Sequence, residues 1–350
     1  MNPTGCTPTS NRRIARHDRS RIPAAAATAA PERRPSLARR LISPHRALPG
    51  HPRLTSKGSP VPFPPAPQGG FPEDRVVWVF GHPRSGTTWL GQLLTDGLAL
   101  KMWNEPYLGQ FLSFSNLLRE NEPKRYEDPT FWMSDPQEEN WKASLNTFFM
   151  DVIARQGGPA AGFGGLVVKE PNGTVVAPLI MKAMPRAKAI FMLRDPRDVI
   201  ASLIDARKPG SWMDERLTQE FDRDKIVKQS IRRFERIAEV LGQLEAVATG
   251  RFYEMRYERL RADAFSEMRH LAHVLGLPCE ESALRRAVEG HDYERIPEER
   301  KGPGKFVRTA KVGGWAEELT PAEIAHIHKR LGPFLAARGY AVPGAPTGPK

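Results

Sequence analysis

The chain has 350 residues, with 52 Lys and Arg against 40 Asp and Glu and a formal net charge of +12. That length suits one large α/β domain plus a tail. No run approaches about 18 consecutive apolar residues, so no membrane-spanning helix is expected, and two cysteines, Cys6 and Cys279, leave no disulfide framework and no cysteine metal cluster.

Residues 1–70 hold 12 Lys and Arg against Asp18 and Glu32, and 13 of the 33 prolines, with an alanine-rich run at Ala24–Ala30. Such a segment lacks the apolar surface to offset its ordering entropy, so a disordered basic tail is expected over 1–72. It carries +10 of the +12, leaving about +2 on the remaining 280 residues. The high charge therefore belongs to the tail, and nucleic acid is not an expected partner of the folded domain. The tail reads as a plain extension, as a transit-like targeting peptide, or as an electrostatic arm for acidic partners. The run at Ala24–Ala30 is too short and too weakly apolar for a secretory signal, which favours a cytoplasmic location. The folded domain is expected over 73–342, with a flexible end over 343–350.

The first ordered element expected is a buried strand over Arg75–Phe80. Gly81-His82-Pro83-Arg84-Ser85-Gly86 follows as a loop, and Thr87–Leu94 reads as the first turns of a helix. A strand, a glycine-bounded loop and a helix N-terminus make an anion site, because loop amides and the helix dipole face the same point. Thr87 and Thr88 offer hydroxyls to the same oxygens. The nucleotide-triphosphate pattern G-x-x-x-x-G-K-S/T is broken, because Thr87 stands where its lysine belongs and the cation is Arg84, inside the loop.

Trp103 to Phe163 is dense in aromatics, among them Tyr107, Phe111, Phe114, Trp132 and Phe148. Part of this set reads as core and part as the wall of an acceptor pocket. Gly164–Val168 reads as a second buried strand, ending at Lys169-Glu170-Pro171. Ligands in parallel sheets lie beyond the carboxyl ends of the strands, so Lys169 and Glu170 are candidate catalytic groups. Ala187–Leu193 reads as a third strand and leads through Arg194-Asp195 to Pro196, which suits the first turn of a helix. Arg194 can fork onto a phosphate, and Ser202 lies eight residues on. A local salt-bridge network of Arg194, Asp195, Arg197 and Asp198 is the plainer reading of the same run. Residues 217–248 read as a long amphipathic helix, with Phe221, Ile226, Ile231, Phe234, Ile237, Leu241 and Leu244 as its apolar set. Arg251–Glu258 reads as a further strand. Alternating strands and helices predict an α/β fold of three layers, a mostly parallel central sheet with helices on both faces.

The run Pro83-Arg84-Ser85-Gly86-Thr87-Thr88-Trp89-Leu90 resembles the 5′-phosphosulfate loop of the sulfotransferases, which carry lysine or arginine at the Arg84 position. Arg194 and Ser202 are similar to that family's 3′-phosphate motif, in spacing as well as type. Arg308 to Thr320 resembles its late loop, with Arg308, Gly313, Trp315 and Thr320 in register. Thr309, Ala310 and Gly314 depart from it, and the missing lysine leaves the phosphate grip to be shared with Lys305 or Lys311. Arg300-Lys301-Gly302 copies only the first letters of the motif. With Gly302-Pro303-Gly304 it reads as a mobile basic lid with a hinge.

The resemblance implies 3′-phosphoadenosine 5′-phosphosulfate (PAPS) as sulfuryl donor, a hydroxyl or amine acceptor on a small molecule or glycan, and no metal. It implies binding by Arg84, Ser85, Gly86, Thr87, Thr88, Trp89, Arg194, Ser202, Tyr257, Tyr293, Arg308, Thr309 and Ala310. Arg84 becomes the charge stabiliser. Many members place a histidine base at the position that here holds Pro171, so Glu170 and Glu105 become the rival bases, with His82 and His291 as further options. A phosphate-loop kinase and a non-catalytic nucleotide- or nucleic-acid-binding protein are the alternative readings. The absent lysine and the absence of an obvious magnesium ligand weigh against the kinase.

Overall fold

The computed structural model describes residues 71–156, 163–214 and 220–342. The expected tail up to residue 70, with its targeting readings, and the expected flexible end lie outside the described residues, as does the side chain of Phe114.

Five strands form one sheet: β1 (Val76–Gly81), β2 (Leu100–Asn104), β3 (Gly165–Lys169), β4 (Lys188–Leu193) and β5 (Phe252–Arg256). Their order is β2-β3-β1-β4-β5, and every neighbouring pair is parallel. Parallel neighbours need crossovers, and helices supply them. They are α1 (Thr87–Leu98), α2 (Leu108–Asn121), α3 (Glu138–Gln156), α4 (Ala177–Ala183), α5 (Pro196–Arg207), α6 (Arg223–Val247), α7 (Tyr257–Ala262), α8 (Ala264–Val274), α9 (Glu281–Gly290), α10 (Trp315–Glu318) and α11 (Pro321–Ala337). Among the described residues no helix is long and apolar enough to cross a membrane.

All six residues of β1 are buried. Successive side chains alternate between the two faces of the sheet. Val76, Trp78 and Phe80 join a core built with α3, α4, α5, α6 and α11. Val77 and Val79 join a second core built with α1, α8 and α9. Helix layers thus cover both faces, which is why these strands read as continuous apolar runs. β3 and β4 flank β1 on opposite sides, so the crossovers diverge there and open a crevice beyond the strand ends.

Three elements differ from expectation. β2 is an edge strand and only partly buried, so no unbroken apolar run announces it. α6 begins at Arg223, because Asp222 caps it by accepting from the Lys225 amide at 2.9 Å. Phe221 precedes that cap and is exposed, whereas the other six residues of the expected apolar set are buried. β5 ends at Arg256, and Tyr257-Glu258 opens α7 instead of closing the strand.

Candidate functional site

A cleft of about 1050 Å³ opens beyond the carboxyl ends of β1, β3 and β4. Its floor is the loop from β1 to α1. Gly86 adopts φ 102°, and a Cβ there would lie 2.7 Å from the Tyr257 ring, so only glycine fits. No side chain caps α1 and no carboxylate sits in its first turn. The Thr87, Thr88 and Trp89 amides are left to face an anion, reinforced by the helix dipole.

Arg84 stands over this cradle in a left-handed conformation, φ 77°. Its Nε donates to Ser202 Oγ at 3.2 Å and its Nη2 to the Phe306 carbonyl at 2.8 Å. The guanidinium also lies 5.4 Å from the Trp212 ring centre and 5.3 Å from that of Phe306. Burial, then Arg194 and Arg308, lower its pKa to about 10. Three cations therefore meet at one point, an arrangement an incoming phosphate relieves.

Arg194 lies on the Tyr257 ring, 4.3 Å from its centre, and donates to the carbonyls of Arg84 and Lys311 at 3.4 and 3.0 Å. Among the described residues its one ion-pair partner is Asp198 at 3.9 Å. Asp198 accepts from the Gly313 and Trp315 amides at 2.9 and 3.0 Å, tying α5 to the late loop. Both pairs of the plainer reading form, Arg194 with Asp198 and Arg197 with Asp195 at 2.7 Å, and of the two arginines Arg194 borders the cleft.

The late loop is held largely by its main chain. Tyr257 Oη donates to the Ala310 carbonyl at 3.3 Å, Tyr293 Oη to the Arg308 carbonyl at 3.1 Å, and the Gly304 amide to Asp205 at 2.8 Å. The departures at Thr309 and Ala310 therefore cost no anchoring side chain, although they do remove a cation. Neither proposed substitute replaces it. Lys311 Nζ pairs with Glu317 at 2.6 Å on the surface, and Lys305 is exposed outside the cleft. Arg300, set aside in the sequence, borders the cleft. Arg308 also borders it and ion-pairs with Glu318.

At the end of β3, Lys169 Nζ donates to Glu105 Oε1 at 2.6 Å and approaches Thr88 Oγ1 at 3.4 Å. Lys169 is buried, while Glu105 is partly exposed and borders the cleft. Asn172 Nδ2 reaches the other carboxylate oxygen at 3.4 Å. Glu105 has φ 49° and Tyr107 φ 61°. Of five non-glycine residues with left-handed backbones among the described residues, four (Arg84, Glu105, Tyr107 and Ala310) border the cleft. Each such residue costs about 1–3 kcal/mol, and strain of this kind collects at functional sites.

The structure separates the two glutamates. Glu170 is fully buried, does not border the cleft, and packs beneath the start of α2 beside Gly109 and Gly173. Burial raises its pKa. Ser85 is likewise buried, its hydroxyl turned toward Gly81 and away from the cleft. Gly86, Thr87, Thr88, Trp89, Arg194, Ser202, Tyr257, Tyr293, Arg308, Thr309 and Ala310 all line it. His291 lines it too, bound to Asp96 at 2.6 Å.

The aromatic-dense stretch, expected to supply part of an acceptor pocket, contributes little to the cleft. Trp141 and Phe149 are core, and Phe111, Trp132, Phe148 and Phe163 lie exposed outside the cleft. Of the aromatics singled out there, Tyr107 alone borders it among the described side chains. The apolar wall comes from Leu203, Trp212, Met213, Ile226 and Phe306. Sequence reasoning also missed Arg207 and Arg233, which border this wall from α5 and α6. No local motif marks them, because their proximity depends on how two helices pack.

His82 is 3% exposed, stacks on Phe234 with ring centres 4.7 Å apart, and places Nδ1 2.7 Å from the Pro83 carbonyl. Burial, then the Arg233 charge, lower its pKa to about 3 from 6.5. A group so weakly basic is a poor proton acceptor. Because the folded value is depressed, the unfolded chain binds the extra proton, and stability falls as pH drops below about 6.5. The expected loss at pH 5 relative to pH 8 is about 2 kcal/mol. Urea titrations across that range should show it, and His82→Gln should flatten the profile.

The family model described as "Sulfotransferase family" matches residues 77–281. The chain is 30% identical over 275 residues to the omega-hydroxy-beta-dihydromenaquinone-9 sulfotransferase Stf3 of Mycobacterium bovis, covering 63% of this chain and 69% of that protein. It is 24% identical over 276 residues to a putative protein-tyrosine sulfotransferase of Caenorhabditis briggsae, covering 76% and 89%. Among solved structures, sulfotransferase STF9 from Mycobacterium avium aligns with a TM-score of 0.48 at 17% identity, over 78% of this chain and 79% of that one. The match to the family model spans more than half of the chain and includes the β1–α1 loop, Lys169, Arg194 and Ser202, so the chain belongs to the sulfotransferase family.

Proposed function

We propose that this sulfotransferase moves a sulfuryl group from PAPS to a hydroxyl or amine of a small-molecule or glycan acceptor, by in-line displacement and without a metal. The observation that carries the reading is the uncapped N-terminus of α1, overhung by Arg84, Arg194 and Arg308. Such a cradle suits two phosphates. The loop amides, Thr87 and Thr88 would hold the 5′-phosphate, and Arg194, Ser202 and Arg308 the 3′-phosphate. Trp89, Tyr257 and Tyr293 line the same cleft and would flank the adenine.

The donor supplies the sulfuryl group and a nucleotide leaving group. By analogy with phosphoryl transfer, this chain's task is to position the reactants and stabilise spreading negative charge. Arg84 acts electrostatically, since a guanidinium gives up its proton reluctantly. Lys169 adds a second charge beside Thr88. Glu105, oriented by Lys169 and open to the cleft, takes the acceptor proton.

Incubation of the enzyme with PAPS and a panel of phenols, alcohols and amines, in EDTA, tests the reading. Acceptor-dependent formation of 3′,5′-adenosine bisphosphate is expected. Turnover only with added Mg²⁺ and ATP would sink it.

A further inference from the structure

The cleft contains a second basic cluster that the nucleotide reading leaves unused. His82, Arg207 and Arg233 all border it. The charges that act on Arg84 are Arg194, Arg308 and Asp205, whereas those that act on His82 are Arg233 and Arg207. Arg207 and Arg233 thus form a second cation group, sharing the cleft with Met213 and Ile226 and with Trp212, whose other neighbour is Arg84.

Among the described residues, neither Arg207 nor Arg233 pairs with a carboxylate, and the Nε atoms of both are buried without a partner. Arg233 Nη2 donates to the Pro171 carbonyl at 2.9 Å, so its guanidinium is held just beyond the carboxyl end of β3. Burial and then the neighbouring Arg207 lower the Arg233 pKa to about 10. Two neighbouring, half-buried guanidiniums that repel one another oppose folding unless a ligand uses them. A guanidinium fork matches an oxyanion. With His82 Nδ1 donating to the Pro83 carbonyl, Nε2 remains a buried acceptor without a partner, which suits a hydroxyl beside that oxyanion.

We propose that the acceptor is itself anionic: an apolar or aromatic hydroxyl compound whose second group, a phosphate or carboxylate, docks on Arg207 and Arg233. This deepens the sulfotransferase reading above and rests on it. The cluster then selects acceptors by their existing charge, and the apolar wall covers their carbon skeleton.

Calorimetry on the enzyme saturated with 3′,5′-adenosine bisphosphate tests this, with phenyl phosphate, benzoate and phenol as probes. Phenyl phosphate or benzoate should bind at least about tenfold more tightly than phenol. The preferred anion names the docking group, and either preference supports the proposal. Arg207→Gln and Arg233→Gln should each weaken the anion about tenfold, with the bisphosphate affinity unchanged as the control for folding. Arg207→Lys should recover part of the loss. Equal binding of phenol and the anions, or variants that bind the anions like the wild type, would overturn the proposal while leaving the nucleotide site standing. Failure of the bisphosphate itself to bind would remove the sulfotransferase reading and this acceptor role together.

Discussion

Replacing Glu105 with Gln is expected to lower kcat by about 10²- to 10⁴-fold, the range for removing a positioned general base. The amide carbonyl still accepts from Lys169, so the geometry that now sets the 2.6 Å contact survives. What is lost is the carboxylate proposed to take the acceptor proton. Affinity for 3′,5′-adenosine bisphosphate should not change, because Glu105 touches none of the groups assigned to the phosphates. Glu170→Gln is the matched control. Its carboxyl is fully buried away from the cleft, and its pKa is raised by that burial. The side chain does not reach the cleft and glutamine keeps its shape, so kcat should stay close to wild type. Steady-state kinetics on both variants decide between them, and the opposite ranking would reassign the base.

The second large effect is expected from Arg84→Ala. Removing one preorganised donor at developing charge costs about 10²- to 10³-fold in kcat. A second loss follows from the same side chain. Arg84 joins Ser202 at 3.2 Å to the Phe306 carbonyl at 2.8 Å, so it fastens the loop over the cleft to α5. Without it KM for PAPS should rise as well, and kcat/KM falls by more than either constant alone. Arg84→Lys keeps the charge but not the fork, so it should restore part of kcat and little of the loop contact. An alanine variant with unchanged kcat would transfer the stabilising role to Lys169.

The parts of this architecture that could be read from sequence are those whose information is local. β1 lies between two helix layers, so its apolar run is unbroken, and Gly86 marks the one loop position where a Cβ would strike the Tyr257 ring. Arg194 and Ser202 sit on one strand–helix unit, so a short spacing held most of the information, and the turn between them brings both to the cleft. Thr87 in place of lysine, with the cation moved to Arg84, separated this loop from those of the kinases, in agreement with family membership. β2 escaped because an edge strand is only half buried. Glu170 was a rival to Glu105 because each follows the last residue of a parallel strand, β3 and β2, and nothing local says which carboxyl reaches the cleft. The late loop kept its place despite the changes at Thr309 and Ala310 because its carbonyls, which carry no sequence signature, make the contacts to Tyr293 and Tyr257. Arg207 and Arg233 come together only through the packing of α5 on α6, which no spacing reveals.

The central claim is that the uncapped end of α1 and the arginines above it hold a 3′,5′-bisphosphate nucleotide. Calorimetric titration of 3′,5′-adenosine bisphosphate, with ADP and ATP as controls and Arg194→Ala as a second protein, tests it most directly. Tight binding of the bisphosphate in EDTA, selective over ADP and ATP and lost in the variant, is the predicted result. Preference for ATP with Mg²⁺, or equal binding by wild type and variant, would contradict it.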